Sequence, residues 1–447
     1  MTTTAIDLGA SVKVPPFHVG KVIVASSIGN ALEWYDFLVY GFFAPVIATQ
    51  FFPISDPRVS LLFAVGSFGI SFVARPLGAI VFGRYADRRG RRPALTLSIV
   101  LMALGTFTIS VMPPYATAGY LAPLLVVLAR LVQGLAVGGE FGSATAFMVE
   151  QGSAHRGFYS SWQFASQGLA TIASAGASSI VASTLTTDQL ESWGWRIPLV
   201  LGLLIVPVGF YIRRYLDESP EFVRASVVDH PEAEHQQPRF GSQWRNLLVA
   251  TGVVAQSTAS TYVLQLYIPT YATRELGLPI AQSFGVVVLG GTLQLLLTPV
   301  VGSLSDRFGR IKIMLPATLV LMVLVYPIFY ALNESRSTAS LVTLLAFGGI
   351  MKACYSGPMP ALISEMFPVR SRSTALSLSY NVGVTIFGGF APFIITWMIG
   401  VTGDKLAPSY YVLCAALISC LSLSLFSAES RKRSATHTNH AQNQSAS

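Results

Sequence analysis

Long apolar runs separated by short polar stretches dominate this chain. A membrane-crossing helix needs about 20 mostly apolar residues. Twelve runs reach that length, near 21–49, 59–83, 93–112, 120–147, 158–184, 196–215, 246–272, 280–304, 311–332, 339–366, 371–400 and 408–427. A charged, Pro-containing stretch, Asp217–Gln243, divides them six and six. The pattern predicts an all-α integral membrane protein with twelve transmembrane helices in two pseudo-symmetric six-helix bundles. The expected organisation is a cytoplasmic N-terminal segment (1–20), a first bundle (21–215), a linker (216–244), a second bundle (245–427) and a disordered tail (428–447).

A repeat supports the division into halves. Gly83-Arg84-Tyr85-Ala86-Asp87-Arg88-Arg89-Gly90-Arg91-Arg92 lies in a tight loop between the second and third runs. Gly302-Ser303-Leu304-Ser305-Asp306-Arg307-Phe308-Gly309-Arg310 occupies the corresponding place in the second half. Recurrence at roughly half the chain length indicates a duplicated bundle.

Charge then orients the spans. With both termini in the cytoplasm, 21 of the 29 lysines and arginines fall in cytoplasmic segments. Only Arg58, Arg196, Arg274, Arg336 and Lys405 fall on the other side, and three basic residues lie within spans. This matches the retention of basic loops on the cytoplasmic side. It also accounts for the net charge of +8 without a nucleic-acid partner. The composition, 52% hydrophobic and 11% charged, excludes an ordinary soluble domain, where about 25% of residues are charged. Cys354, Cys414 and Cys420 lie in apolar runs with no metal-ligand spacing and no disulfide framework. Met1–Gly20 is polar and contains proline, so no cleavable signal segment is expected.

Ionisable residues inside spans are expensive, and each is a functional candidate. Glu33 and Asp36 lie three residues apart in the first span, which puts both on one helix face. Two neighbouring carboxylates in low dielectric resist ionising together, a property suited to reversible proton carriage. A structural partnership with an arginine is the alternative. Arg75, in the second span, could neutralise these carboxylates or bind an anion; the first role fits its position better. Arg130 and Gln133 share a face near the middle of the fourth span, with Glu140 further towards the cytoplasm. A midplane guanidinium suits bidentate recognition of a carboxylate; a buried Arg–Glu network is the competing reading. Lys352 falls at the centre of the tenth span, and the nearest acid in sequence, Glu365, is near the cytoplasmic end. An unpaired ammonium there would either lose its proton or await an anion; a substrate carboxylate would meet that need, and pairing across the bundle with Glu33 or Asp36 is the alternative. Tyr262 and Gln265 of the seventh span, and Tyr380 and Asn381 of the eleventh, could line the same cavity.

No Walker A loop, His-Glu-x-x-His or Gly-x-Ser-x-Gly in a strand–helix context occurs. Nucleotide-driven pumping and hydrolysis are thereby unsupported, no cofactor or metal is expected, and the chain is not read as an enzyme. An ion gradient is left as the energy source.

Gly83–Arg92 resembles the major facilitator signature Gly-x3-Asp-Arg-x-Gly-Arg-Arg, and 302–310 resembles its second-half copy, with Ile311 where the first half has Arg92. Arg130-Leu131-Val132-Gln133-Gly134 is similar to the family's fourth-helix motif. Further pieces resemble the metabolite:proton symporter branch: Glu33-Trp34-Tyr35-Asp36-Phe37, Arg75-Pro76-Leu77-Gly78, Gly138-Gly139-Glu140-Phe141-Gly142, Gly157-Phe158-Tyr159-Ser160-Ser161, Trp193-Gly194-Trp195-Arg196-Ile197-Pro198, Asp217-Glu218-Ser219-Pro220-Glu221-Phe222 and Glu365-Met366-Phe367-Pro368. Thr402-Gly403-Asp404-Lys405 extends the resemblance towards the branch's citrate carriers.

The resemblance implies a major facilitator fold in a bacterial inner membrane, acting as a monomer with a small organic anion and a proton as its partners, together with the lipid bilayer. It implies a gate built from Gly83, Asp87, Arg88, Gly90 and Arg91, with Gly302, Asp306, Arg307, Gly309 and Arg310 as its copy. The expected function is proton-coupled import of a di- or tricarboxylate such as citrate. Arg130, Gln133, Lys352, Tyr262, Gln265, Tyr380 and Asn381 are the expected substrate contacts; Glu33, Asp36 and Glu140 are the expected proton-coupling groups. Import of a zwitterionic osmolyte such as proline or betaine, and export of acids or drugs, are the alternatives.

Overall fold

The computed structural model describes residues 19–89, 91–138, 140–151, 155–204, 207, 243–368 and 372–445. Gly90, segment 1–18 and nearly all of the linker 216–244 lie outside these, as do the side chains of Asp87, Arg88, Arg91 and Glu140 and the surroundings of Gly83. Most of the described residues are helical, and each apolar run coincides with helix over nearly all of its described residues. Seven helices are long and apolar enough to cross a membrane, and a bent pair, Ser27–Phe42 with Ala44–Phe51, makes an eighth. The third and fourth spans contribute shorter apolar helices, Thr96–Val111 and Leu121–Val137. The fifth is the long but more polar Arg156–Thr184, and the sixth is described as a helix only over Arg196–Gly202.

Breaks in the spans have local causes. The first span bends by 63° just before Pro45, whose missing N–H cannot complete the helical ladder. The fourth span is described as helices Leu121–Val137 and Glu140–Gln151, with Gly139 outside the described residues. The tenth breaks between Ser356 and Met359, at Gly357-Pro358. π-helical turns interrupt the seventh span over Thr261–Tyr267 and the eleventh over Thr385–Gly389. Such turns insert a residue into the helix and re-aim its side chains, and they concentrate at functional sites. The last helix continues to Ser445, beyond the apolar span and through the tail that the sequence pattern leaves disordered. That tail contains neither glycine nor proline to stop a helix.

The two halves meet along small-residue seams. The fifth span, rich in Ser, Ala and Gly, packs against the eighth, Ile280–Phe308. Small residues let helix backbones approach where lipid supplies no hydrophobic drive for association. A Cβ on Gly302 would stand 2.6 Å from the Gly157 carbonyl oxygen and 2.7 Å from Ser161 Cβ. Beside this seam, the Asp306 carboxylate accepts from the backbone N–H groups of Gly157 and Phe158 at 2.9 and 3.0 Å. These are the orphan donors at the start of the fifth span, where a helix end favours negative charge. Arg310 completes the cluster, 2.6 Å from Asp306 and 3.4 Å from Glu365. Arg307 is exposed. Gly309, at φ 95°, makes the turn into the ninth span with a backbone that L side chains rarely adopt.

Gly302→Ala is therefore expected to force the fifth and eighth spans apart. The expected cost is about 1–3 kcal/mol, the usual penalty for overpacking a tight contact. A lowered unfolding midpoint in detergent, relative to wild type, checks it.

Candidate functional site

Two polar clusters lie in the middle of the bundle, one in each half, with a mixed cluster between them. The first is built on Asp36, which is 3% exposed. Thr106 of the third span donates to one carboxylate oxygen at 2.7 Å, and the Gln133 amide donates to the other at 2.7 Å. Gln133 in turn accepts from Arg130 Nη1 at 2.8 Å. The Arg130 guanidinium sits 3.3 Å from the centroid of the Tyr40 ring, and the Tyr40 hydroxyl meets Ser67 at 2.6 Å. A cation over an aromatic face recovers part of the solvation it loses on burial. Arg130 is nevertheless undersupplied: its Nε and Nη2 are buried without a hydrogen-bond acceptor among the described residues. Five N–H donors are difficult to satisfy inside a protein, and an unmatched pair is the geometry a carboxylate fits.

The second cluster is built on Lys352, also 3% exposed. Its Nζ donates to Gln265 Oε1 at 2.6 Å. The Gln265 amide nitrogen donates to Gln294 Oε1 at 2.6 Å, and Gln294 donates to the Phe164 carbonyl at 2.7 Å. The chain of donors runs one way, from the tenth span through the seventh and eighth to the fifth, and so crosses between halves. No carboxylate pairs with Lys352 among the described residues. The cross-bundle partnership with Glu33 or Asp36 left open by the sequence is not the one found.

Between these clusters, Tyr262 and Tyr380 lie within electrostatic reach of both Arg75 and Glu33. The Arg75 guanidinium covers the rings of Phe72 at 4.1 Å and Phe37 at 4.8 Å. Trp34, Phe68 and Phe72 surround the Tyr262 ring at 5.8, 6.0 and 5.3 Å between centroids. The Tyr262 hydroxyl and the Gln167 amide are buried without aligned partners. This polar centre has an aromatic wall.

The structure separates several residues that the spacing groups together. Glu33 and Asp36 lie three apart on the continuous helix Val19–Phe42; Asp36 joins the Arg130 cluster, and Glu33 stands within electrostatic reach of Tyr262 and Tyr380. Tyr262 and Gln265 fall in the π-helical turn. There the wider i→i+5 turn no longer keeps residues three apart on one face, so Gln265 meets Lys352 and Tyr262 meets the aromatic wall. Tyr380 and Asn381 bind the halves together. The Tyr380 ring stacks on Phe141 at 3.4 Å, and Asn381 donates to the Gly138 carbonyl of the fourth span at 2.8 Å. Thr106, Gln294, Phe141 and Phe164 enter the site without having been singled out by sequence. Of these, Gln294 carried a usable signal, being a lone amide in an apolar run.

A twelve-span bundle with its ionic groups gathered between two halves defines a secondary transporter. The family model described as "Sugar (and other) transporter" matches residues 21–239, and the one described as "Major Facilitator Superfamily" matches 259–446. The chain is 35% identical to a citrate-proton symporter of Salmonella typhi over 89% of its length and 91% of that protein. It is 33% identical to a proline/betaine transporter of Salmonella typhimurium over 93% of its length and 85% of that protein. Its fold is similar to that of the xylose transporter XylE from E. coli in a partially occluded inward-open conformation, with TM-score 0.71 and 17% identity over 91% of this chain and 97% of that one. The chain belongs to the major facilitator superfamily, and these relatives place it with the metabolite:proton symporters. It is a membrane transporter and not an enzyme.

Gln133 is the hinge of the first cluster, since it donates to Asp36 and accepts from Arg130. Gln133→Leu keeps the volume but strands both charges. A loss of about 1–3 kcal/mol is expected for the unsatisfied groups, read as a lower unfolding midpoint, with Gln133→Glu failing to restore the wild-type value.

Proposed function

We propose that this protein is a proton-coupled symporter that imports a small organic anion, a di- or tricarboxylate of the citrate type, by alternating access. The observation that carries this reading is Lys352, a buried ammonium whose one hydrogen-bond acceptor among the described residues is an amide oxygen. Hydrocarbon does not stabilise such a group, and a carboxylate from the substrate would. Arg130, with two donors to spare, is the matching group in the other half. Similarity to proteins named citrate-proton symporters, at 35% and 36% identity, supports the same class.

Coupling follows from charge balance. Asp36 offsets Arg130 through Gln133. A proton taken up by Asp36 removes that offset and leaves Arg130 as an uncompensated cation. An incoming carboxylate then restores neutrality in the low dielectric, so proton and anion are favoured together. The cytoplasmic face in this reading is the arginine-rich end, with both termini on that side of a bacterial inner membrane. Asp306, bound to the start of the fifth span, acts as a latch that holds this end shut.

A second reading keeps the fold and changes the cargo. The aromatic wall around Tyr262, with Arg75 and Glu33 beside it, offers complementary charges and π faces to a zwitterion such as proline or betaine. The 33% identity to a proline/betaine transporter favours it. Lys352 favours the anion, because a zwitterion supplies one carboxylate to a site with two midplane cations.

The test is uptake of radiolabelled citrate, succinate, proline and betaine into proteoliposomes under an imposed pH gradient. Citrate accumulation abolished by a protonophore is expected. Arg130→Ala and Lys352→Ala should each lower it about 10–100-fold, the value of one hydrogen bond to a charged group. Full uptake in both variants rules out the anion site. Asp36→Asn is expected to retain citrate exchange across the membrane while losing its response to the gradient; an unchanged gradient response removes Asp36 from the proton path.

A further inference from the structure

The end of the bundle opposite the arginine-rich loops carries few basic residues, which makes their placement informative. Of the five assigned to it by charge, Arg58 and Arg274 line one cleft, and they come from opposite halves. Arg58 opens the second span and Arg274 lies near the end of the seventh. The cleft is open to solvent, has room for a water-sized group (about 20 Å³), and is lined also by Tyr267, Thr270, Glu275 and Thr396. Its floor is the contact in which Thr396 donates to the Tyr267 hydroxyl at 3.0 Å. Tyr267 closes the same π-helical turn that carries Tyr262 and Gln265, so the cleft stands over the central polar groups.

Neither guanidinium is committed to a protein acid. The Arg58 side chain makes no hydrogen bond or ion pair among the described residues; only its backbone N–H is bound, by Asp56. Arg274 makes one long contact, 3.4 Å, to the Pro57 carbonyl across the halves. Glu275, the carboxylate in the lining, is turned to Lys405, 3.7 Å away. Asp56 and Glu191 stand nearby, outside the lining.

We propose that Arg58 and Arg274 form an outer receiving site for the substrate carboxylate, which an anion occupies before it passes between the halves to Arg130 and Lys352. A carboxylate bridging the two arginines would replace the contact from Arg274 to Pro57 as the tie between the halves at this end. The inference rests on the anion reading above, and its test has a readout separate from transport.

Gly400 lines the cleft, and a Cβ there meets nothing within 4 Å, so Gly400→Cys introduces a reporter without a clash. In a background with Cys354, Cys414 and Cys420 replaced by serine, intact cells are treated with an anionic and a cationic methanethiosulfonate reagent. Removing one nearby positive charge changes each rate about threefold in opposite directions. Arg58→Gln and Arg274→Gln should therefore each lower the anionic-to-cationic rate ratio about tenfold. Citrate should slow the anionic reagent in the parent and not in the double variant. Where citrate is transported, the double variant should raise its KM about tenfold or more with the maximal rate retained. An unchanged ratio, or no protection by citrate, overturns the receiving site whether or not citrate is transported. Protection without transport would keep the site and reject the transport reading.

Discussion

A charged side chain placed in hydrocarbon must be compensated by something within reach. Lys352 is the sharpest instance, because its compensation is incomplete: one amide oxygen stands where a carboxylate would be expected. Much of the centre is arranged around this shortage. Gln265 and Gln294 hand the polarity of the ammonium across to a backbone carbonyl of the other half. Arg130 draws on the face of Tyr40 and on Gln133, and still has donors left over. An interior satisfied in full would have no reason to admit a charged solute. One left partly unsatisfied binds it and is completed by it.

Movement has to work against the contacts between the halves. They touch through glycine and serine along the fifth and eighth spans, through a carboxylate on a helix end at Asp306, through the stacked pair Tyr380 and Phe141, and through Trp34, Phe68 and Phe72 around Tyr262. At the opposite end, Phe42 and Phe43 pack on Phe284 at 5.3 and 5.6 Å, and Arg274 reaches Pro57. The fifth and eighth spans pack against each other from Gly157 and Gly302 through Gly168 and Gly291 to Ser179 and Ala281, so opening either end has to part this seam. Packed interfaces of this kind switch between discrete arrangements and do not deform continuously.

Much of this architecture was legible in the sequence because lipid imposes a simple rule. Twelve long apolar runs had to be helices, since no other backbone satisfies its own hydrogen bonds there. The arginine-rich loops Gly83–Arg92 and Gly302–Arg310 marked the repeat, and the isolated charges at Asp36, Arg130 and Lys352 stood out against their surroundings. The tail was harder: its polar composition spoke for disorder, yet the helix runs to Ser445. Partnerships were harder still. A three-residue spacing grouped Tyr262 with Gln265, and that pair diverges in the π-helical turn.

Sequence alone therefore determined the class, the number of spans and which residues carry unusual cost, because hydrophobicity and charge act residue by residue. Only the tertiary structure decided who meets whom. The π-helical turn at Thr261–Tyr267 rotated Gln265 onto Lys352, and packing between the halves brought Asn381 to the Gly138 carbonyl. Such meetings depend on helix rotation and on breaks in backbone hydrogen bonding, and these are set by packing among spans far apart in the chain.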